Sequence, residues 1–290
     1  MSFIGLSEME SAALRECKPL WRIVMEEHCR ESHALETDAF RTMQDMFRAM
    51  KTADACYDPS LRSASGMVGG DGEKLSNYRQ QGNSLLGDYL AQVVEKAVKM
   101  AESNACMRRI VAAPTAGSCG IIPAVLLTYQ AYRQTEEQCM VEALFVAAGI
   151  GEVLAANASI SGAEGGCQAE IGSACAMAAG AVTFLEGGST AAVMHASALA
   201  LKSMLGLTCD PVAGLVEVPC VKRNAAGAAN AVVVAHMALA GVRSVIPPDE
   251  VIQAMRRIGK IMPVCLRETS QEGLATTPTG LQIAHQLSGS

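Results

Sequence analysis

Aromatic residues are scarce in this chain, at 4% of its 290 residues, and no stretch shows the period-two alternation of half-buried strands. A core with so few rings has to be assembled from small side chains, which favours closely packed helices over a β-sandwich. Half of the residues are hydrophobic, which is enough to bury a large core. The sequence therefore predicts an all-α protein with a single helical domain.

The chain also lacks a block of basic residues, and its formal net charge is −6. Binding to nucleic acid is therefore not expected. No secretory signal is expected either, because no basic segment followed by a long apolar one opens the chain. Two uncharged runs, 110–132 and 224–242, have the length of a membrane span, but prolines interrupt the first and Asn and His residues the second. Both runs are expected inside the protein, which predicts a cytoplasmic location with no membrane partner.

Helical periodicity, interrupted by glycine and proline, divides the chain into segments. Helices are predicted over 7–52, 84–109, 136–157, 169–186, 190–205, 224–241 and 248–259, with a capping box at Thr135–Gln138 before the third and an irregular polar tail at 266–280. Residues 1–58 are interpreted as a helical scaffold segment. Residues 59–290 are interpreted as the domain that carries the function, continuous with that scaffold.

Two glycine-rich loops separate predicted helices, at 63–72 and 113–123. Glycine lets backbone N–H groups approach a ligand closely, and the N-terminus of a following helix favours an anion. Both loops are therefore candidates for binding a carboxylate, although a tight turn between helices explains the second one equally well. Neither loop has a Walker ending or a preceding strand, so no nucleotide fingerprint is present.

Eleven cysteines are present, and disulfides are not expected in a cytoplasmic chain. Three of them adjoin Gly or Pro in unusual local sequences: Cys167, Cys209 and Cys220. Each is expected on irregular backbone, which suits a metal ligand. Their separations of 42 and 11 residues match neither zinc sites nor bacterial ferredoxins, so spacing alone indicates a metal only weakly. Cys119 is a candidate neighbour of the site, and the other seven cysteines, Cys175 among them, are interpreted as structural.

Three segments carry a resemblance: APTAGSCGIIP at 113–123, ASISGAEGGCQAE at 158–170 and LTCDPVAGLVEVPCVKRN at 207–224. They resemble, in order, motifs of the iron–sulfur-dependent L-serine dehydratases, and most closely the alpha chain of the two-chain bacterial form. The resemblance extends over about residues 60–280. It implies conversion of L-serine to pyruvate and ammonia without a pyridoxal cofactor. It also implies a 4Fe-4S cluster held by Cys167, Cys209 and Cys220, with one iron left open as a Lewis acid.

The resemblance further implies partners and a substrate site within the catalytic domain 59–290. The small second domain of single-chain members is not found here, so a separate beta chain is expected. The serine carboxylate is expected to contact the two loops and the basic pair Lys222 and Arg223. A pair of solvent-exposed side chains at a helix start explains these two residues equally well. The candidate substrate-binding residues are Ser65, Gly66, Gly69, Gly70, Lys74, Thr115, Gly117, Ser118, Gly120, Lys222 and Arg223.

The sequence does not identify the catalytic base. Glu164, Glu170 and Asp210 flank the cysteines, and each is a candidate for the base or for a group that supports the cluster. His195 and His236 lie in Ala-rich helical stretches and are interpreted as core histidines. Three alternatives stay open: a related iron–sulfur lyase that removes hydrogen sulfide from L-cysteine, a non-catalytic helical binding subunit, and a zinc site.

Overall fold

The computed structural model of the chain describes residues 3–82 and 84–289. Within these ranges the regular elements are helices, and the one β pairing is an isolated parallel bridge between Cys209 and Arg267. The all-α prediction is confirmed. The helices are α1 Leu6–Glu16, α2 Leu20–Ser32, α3 Glu36–Ala55, α4 Asp71–Gln80, α5 Gly87–Ala105, α6 Ile121–Arg133, α7 Glu137–Asn157, the one-turn α8 Gly162–Gly165, α9 Cys167–Leu185, α10 Thr190–Met204, α11 Cys220–Leu239, α12 Pro248–Ile261 and α13 Pro278–Ser288.

Helix α9 is the centre of the fold, where it packs against α6, α7, α10 and α11. Sixteen of its 19 residues are buried, so it has no polar face turned to solvent. Ala and Gly occupy eight of these 16 positions and let the neighbouring helices approach closely. A Cβ atom on Gly180, for example, would lie 2.3 Å from Cδ1 of Ile150 in α7. The core of small side chains that the composition predicts is thus present.

The N-terminal region predicted as helical over 7–52 consists of the three helices α1–α3. Residues in the left-handed conformation end the first two, Cys17 with φ 52° and His33 with φ 56°. Helices α2 and α3 pack on α7, while α1 packs on α10 and α12. Buried side chains of all three belong to the same hydrophobic cluster as α9, so these helices share one core with the rest of the described chain. The scaffold role and the boundary at residue 58 stay predictions.

One predicted helix start, one predicted capping motif and part of the predicted irregular tail are wrong. Helix α11 begins at Cys220 rather than at Asn224. The capping box before α7 is absent, because the N-cap is Glu136 and its side chain makes no capping hydrogen bond. The tail contains 3₁₀ turns and leads into α13, which Thr277 caps by accepting a hydrogen bond from Gly280 N at 3.1 Å.

One helix in the described ranges, α7, is long and apolar enough to cross a membrane by length and composition, with a mean hydropathy of 1.8. Of its most apolar window, 67% is buried inside the protein. The uncharged run 110–132 supplies α6, whose first nine residues are buried as expected. The run 224–242 supplies most of α11, and its outer face is exposed. His236 lies on that face, so its interpretation as a core histidine is wrong.

Candidate metal centre

Three segments bring Cys167, Cys209 and Cys220 into one buried region. Cys167 and Cys220 are the first residues of α9 and α11, while Cys209 lies in an extended segment between α10 and α11. The expectation of irregular backbone is therefore correct only for Cys209. The first turn of a helix has free N–H groups and the positive end of the helix dipole, both of which favour a thiolate.

Gly166 makes the sharp entry into α9. Its φ of 75° is strained for any residue with a side chain, and a Cβ atom there would lie 2.8 Å from Leu207 O. The same Leu207 oxygen accepts a hydrogen bond from Gln168 N at 3.0 Å, and Cys209 N donates to Leu266 O at 2.9 Å. The first bond holds the Cys209 segment against the first turn of α9, and the second joins it to the segment that follows α12.

The Sγ atoms of Cys167 and Cys209 and a carboxylate oxygen of Glu170 lie within 4.8 Å of one another. Two glycines allow this close approach. A Cβ atom on Gly162 would lie 3.0 Å from Glu170 Oε2 and 3.1 Å from Cys209 Sγ, and one on Gly117 would lie 3.2 Å from the Glu170 oxygens. Two thiols and a carboxylate in this arrangement form a set of possible metal ligands.

Cys220 is buried beside this group without joining it. Burial raises the pKa of its thiol to about 12, and the charges of Cys167 and Glu170 act in the same direction. A single tetrahedral zinc ion would need all of its ligands in one tight shell. A cluster with several irons accepts a wider arrangement, because each thiolate binds a different iron. The donor set therefore fits a cluster better than a zinc ion.

Arg223 links the centre to its surroundings. Its Nη1 donates to Cys167 Sγ at 3.3 Å and to Thr208 O at 2.8 Å, and its Nη2 donates to Asp210 Oδ1 at 2.9 Å. The hydrogen bond from Cys209 and the Arg223 charge hold the pKa of Cys167 below its ordinary value against the effect of burial. The same thiol–thiol hydrogen bond, together with burial, raises the pKa of Cys209. In this chain the thiolate is therefore favoured on Cys167.

The three candidate carboxylates have different surroundings. Burial raises the pKa of Glu170, partly offset by Thr115, whose Oγ1 donates to Oε1 at 2.9 Å. Asp210 is buried, and its carboxylate accepts hydrogen bonds from Arg223 and from the backbone N–H of Leu274. Glu164 is exposed and accepts a hydrogen bond from Ser159 Oγ at 2.8 Å. Only Glu170 of the three lies with the sulfur atoms.

The loop 113–123 adjoins the centre. Thr115 contacts Glu170 and, at 3.0 Å, the hydroxyl of Ser118. Asn224 in α11 accepts a hydrogen bond from Gly120 N and donates one to Gly117 O, both at 2.8 Å. These contacts join the loop to the first turns of α9 and α11. Sequence analysis missed Asn224 as a site residue, since it was interpreted only as a helix start.

The loop 63–72 contacts the segment that leads into Cys220 and α11. The hydroxyls of Ser63 and Ser65 donate to Glu217, three residues before Cys220. Gly66, Gly69 and Gly70 all have positive φ, as the tight turns of this loop require.

Both predicted lysines pair with Asp71, at 2.7 Å from Lys74 and 2.6 Å from Lys222. Lys74 is also 77% exposed. The structure therefore brings the loop to α11, but the lysines contact Asp71 rather than the thiol group.

Two further buried cysteines lie apart from the centre. Cys119 packs with Ala53 and Met100, and Cys175 accepts a hydrogen bond from Asn230 Nδ2 at 3.1 Å. Burial raises the pKa of both thiols to about 12. Cys175 is thus structural, as predicted, and Cys119 has a structural environment as well.

Comparison with known proteins gives a consistent family assignment. A family model described as "Serine dehydratase alpha chain" matches residues 15–275. The chain is 50% identical over 252 residues to the probable L-serine dehydratase, alpha chain, of Bacillus subtilis, covering 87% of this chain and 84% of that one. It is 40% identical over 265 residues to the L-serine dehydratase, alpha chain, of Peptoniphilus asaccharolyticus, covering 91% of each. It is also 50% identical over 181 residues to the L-serine dehydratase TdcG of Escherichia coli, covering 62% of this chain and 40% of that one.

Proposed function

The chain belongs to the serine dehydratase alpha chain family, and we propose that it deaminates L-serine to pyruvate and ammonia. The observation that carries this proposal is the meeting of the Cys167 and Cys209 thiols with the Glu170 carboxylate, in a chain whose relatives are named for this activity. In the reaction, L-serine loses its Cα proton and its hydroxyl as water to give aminoacrylate. The aminoacrylate tautomerises to an imine, which takes up one water and releases ammonia.

We infer that Cys167, Cys209 and Cys220 hold a 4Fe-4S cluster. Three thiolates leave one iron of such a cluster without a cysteine ligand. The burial of the three thiols and the Arg223 charge beside Cys167 support this inference, because a fixed cation offsets the cost of burying thiolates. When bound, the cluster supplies a Lewis acid that assists departure of the serine hydroxyl.

Glu170 is the proposed acceptor of the Cα proton, because it is the carboxylate that lies with the sulfur atoms. The hydrogen bond from Thr115 to Oε1 fixes the carboxylate, with Oε2 on the side of Gly162. Arg223 has a positioning role, since its guanidinium contacts Cys167, Thr208 and Asp210.

The glycine-rich loops are proposed to line the substrate site. Thr115, Gly117, Ser118 and Gly120 belong to the loop that contacts Glu170 and α11, which supports direct substrate binding there. Ser65, Gly66, Gly69 and Gly70 belong to the loop beside Cys220. Lys74 and Lys222 are proposed to support the latter loop through Asp71 rather than to contact the substrate.

A separate beta chain is the proposed partner. The relatives from B. subtilis and P. asaccharolyticus are named alpha chains, a name that implies a second chain in those enzymes. A protein corresponding to that second chain is therefore expected to bind this one. A cytoplasmic location is proposed as well, since the substrate is a soluble metabolite and α7 is largely buried.

Anaerobic purification tests the function directly. The chain, alone and with its beta chain, is analysed for iron, sulfide and zinc and then assayed with L-serine and L-cysteine. We expect iron and sulfide in equal amounts, about four of each per chain, and pyruvate and ammonia from L-serine. Zinc in place of iron would overturn the cofactor, and faster turnover of L-cysteine than of L-serine would overturn the substrate.

A pair of cysteine variants tests the ligand assignment. Cys209→Ala is expected to lose most of its iron and its activity, because it removes one thiolate of the proposed set. Cys175→Ala is the matched control, since Cys175 is also buried and lies in α9. If Cys209→Ala kept its full iron content, the proposed ligand set would be wrong.

A further inference from the structure

One buried side chain joins the loop 113–123 to the turn that begins α11. Asn224 is 1% exposed and lies four residues after Cys220, in the second turn of the helix. Its Oδ1 accepts a hydrogen bond from Gly120 N at 2.8 Å. Its Nδ2 donates to Gly117 O at 2.8 Å and to Cys220 O at 3.0 Å. A single amide therefore connects a candidate metal ligand with both ends of the segment 117–120.

The segment 117–120 is closely enclosed, so its place is set by the groups that it contacts. Gly117 and Gly120 are both buried. A Cβ atom on Gly120 would lie 2.4 Å from Ala97 O of α5 and 3.0 Å from Asn224 Oδ1. Buried peptide groups need hydrogen-bond partners, and Asn224 supplies them to one N–H and one carbonyl of this segment. Glycine at position 120 thus lets the backbone fit between α5 and the Asn224 amide.

The same loop contacts the carboxylate of Glu170. Thr115 Oγ1 donates to Glu170 Oε1 at 2.9 Å. A Cβ atom on Gly117 would lie 3.2 Å from both Glu170 oxygens, so Gly117 lies between the Asn224 amide and this carboxylate. Glu170 in turn lies with two of the candidate thiols. Contacts therefore run without a gap from Cys220 through Asn224 and Gly117 to the proposed base.

We propose that Asn224 is a positioning residue for the elimination, because it fixes the loop whose residues Thr115 and Gly117 hold the Glu170 carboxylate at the metal centre. Its amide bonds to backbone groups and acts on the reaction through the loop. The inference rests on the proposed function, since it takes Glu170 to be the acceptor of the Cα proton. A displacement of about 1 Å at a reacting group costs about 10²-fold in rate, so a residue behind the base affects turnover.

Asn224→Ser tests this role, because it changes the contacts to the loop selectively. A serine hydroxyl within a helix can donate to the carbonyl four residues earlier, so the bond to Cys220 O is expected to be kept while both bonds to the loop are lost. At saturating L-serine, kcat of the iron-loaded enzyme with its beta chain should fall by about 10- to 100-fold, with iron and sulfide contents unchanged. Iron lost in proportion to kcat would overturn the proposal, because Asn224 would then support the metal rather than the base.

A double-mutant cycle with Glu170→Gln distinguishes positioning of the base from a general structural effect. Once the base is absent its position no longer matters, so Asn224→Ser should lower the remaining kcat by less than about threefold in that background. An equal fall in both backgrounds would also overturn the proposal.

Asn230→Ser is the matched control, with the same substitution in the same helix. Asn230 donates to Cys175 Sγ at 3.1 Å, apart from the metal centre. Its replacement should leave kcat within about threefold of wild type.

Hydrogen exchange provides a readout that needs no turnover. The Gly120 N–H donates to Asn224, so exchange in peptides that contain Gly120 should accelerate by more than about tenfold in Asn224→Ser. In Asn230→Ser it should stay at the wild-type rate. Equal exchange in wild type and Asn224→Ser would show that Asn224 does not hold the loop.

These measurements separate this proposal from the proposed function. If the wild-type enzyme does not deaminate L-serine, the proposed function fails, while hydrogen exchange still tests the hold of Asn224 on the loop. If Asn224→Ser does not fold, as judged by circular dichroism, Asn224→Asp is used in its place. Aspartate has the same shape and keeps the acceptor for Gly120 N but has no donor for Gly117 O, so kcat is again expected to fall by about tenfold or more, and the cycle with Glu170→Gln is again expected to be non-additive.

Discussion

At the scale of single residues, the candidate centre depends on a buried ion pair with several partners. Arg223 and Asp210 contact each other, and Asp210 also accepts the N–H of Leu274 from the C-terminal segment. Arg223 contacts the Cys167 thiol and a backbone carbonyl from the same guanidinium. A lysine has one compact charge and cannot make these bonds together. The pair therefore couples the position of Cys167 to the chain beyond residue 264.

Glu170→Gln tests the proposed base. The substitution keeps the shape of the side chain and the hydrogen bond from Thr115 but removes the proton acceptor. We expect kcat for L-serine to fall by about 10²- to 10⁴-fold, the usual contribution of a positioned base, with iron and sulfide contents unchanged. Pyruvate formation and metal analysis on the same anaerobic preparation measure both quantities.

Glu164→Gln is the control for that substitution, because Glu164 also lies beside the cysteine motif but is exposed. It should keep kcat within about threefold of wild type. If Glu170→Gln lost iron in proportion to activity, Glu170 would hold the metal centre instead of the substrate proton.

The residues that sequence analysis identified are those with a local signature. Cys167 and Cys209 are flanked by glycine and proline motifs, and the structure places their thiols together with Glu170. Asn224 was missed as a site residue for a physical reason. Asn224 contacts Gly117 and Gly120, both more than 100 positions away along the chain. No spacing rule predicts such long-range pairs.

At the scale of elements, helix interiors were predicted well, whereas the start of α11 and the capping motif before α7 were not. Asn224 is a typical N-cap residue, but its side chain donates back to Cys220 O, four residues earlier within α11. Thr135 contributes to the C-terminal end of α6 rather than to the start of α7, because its N–H donates to Gln130 O at 3.2 Å. In both cases the group that would form the cap, the Asn224 side chain or the Thr135 N–H, makes a hydrogen bond elsewhere.

The close packing of α9 on α7 predicts the effect of a single methyl group. Gly180→Ala would place Cβ 2.3 Å from Ile150 Cδ1 and should destabilise the fold by about 1–3 kcal/mol through overpacking. Ile150→Val removes that Cδ1 atom, so the double variant should be more stable than the sum of the two single effects predicts. Denaturant unfolding of the four proteins measures this coupling. Additive effects would show that α7 and α9 shift apart instead.

Helices α4 and α5 are joined by a buried carboxylate that predicts a pH dependence. Glu95 is 5% exposed and accepts hydrogen bonds from Arg79 Nε at 2.8 Å and Lys99 Nζ at 2.6 Å. Burial raises the pKa of Glu95, but these two cations outweigh it and hold the pKa below its ordinary value of 4.5. The stabilisation is therefore complete above pH 4.5 and is lost as the pH falls through the folded-state pKa.

Glu95→Gln should accordingly destabilise the chain by about 2 kcal/mol at neutral pH, and by less as the pH approaches about 4. Thermal unfolding of wild type and variant over this range measures the difference. Glu250→Gln, at an exposed position on α12, is the control and should change the stability by less than about 0.5 kcal/mol. A constant deficit for Glu95→Gln at all pH values would contradict the ion pair as its source.

At the scale of the whole molecule, the candidate centre lies at the N-terminal ends of two helices whose remaining lengths belong to the hydrophobic core. Helices α9 and α11 both begin at candidate ligands and then pack against each other away from the centre. Their buried side chains belong to one apolar cluster that also includes α1–α3, α6, α7 and α10. The core is thus built from contacts that need no metal, whereas the two first turns and the Cys209 segment meet at the thiols.

Removal of iron should therefore loosen one end of the molecule without unfolding it. After anaerobic chelation, hydrogen exchange should accelerate by more than about tenfold in the first turns of α9 and α11 and in the segment 207–211, because the bound metal offsets most of the cost of bringing these thiolates together. Exchange in the middle of α9 should stay unchanged, since that part is enclosed by α7, α10 and α11. Unchanged exchange at all three sites would show that the metal binds elsewhere. Faster exchange throughout α9 would show instead that the small-residue core depends on the metal for its stability.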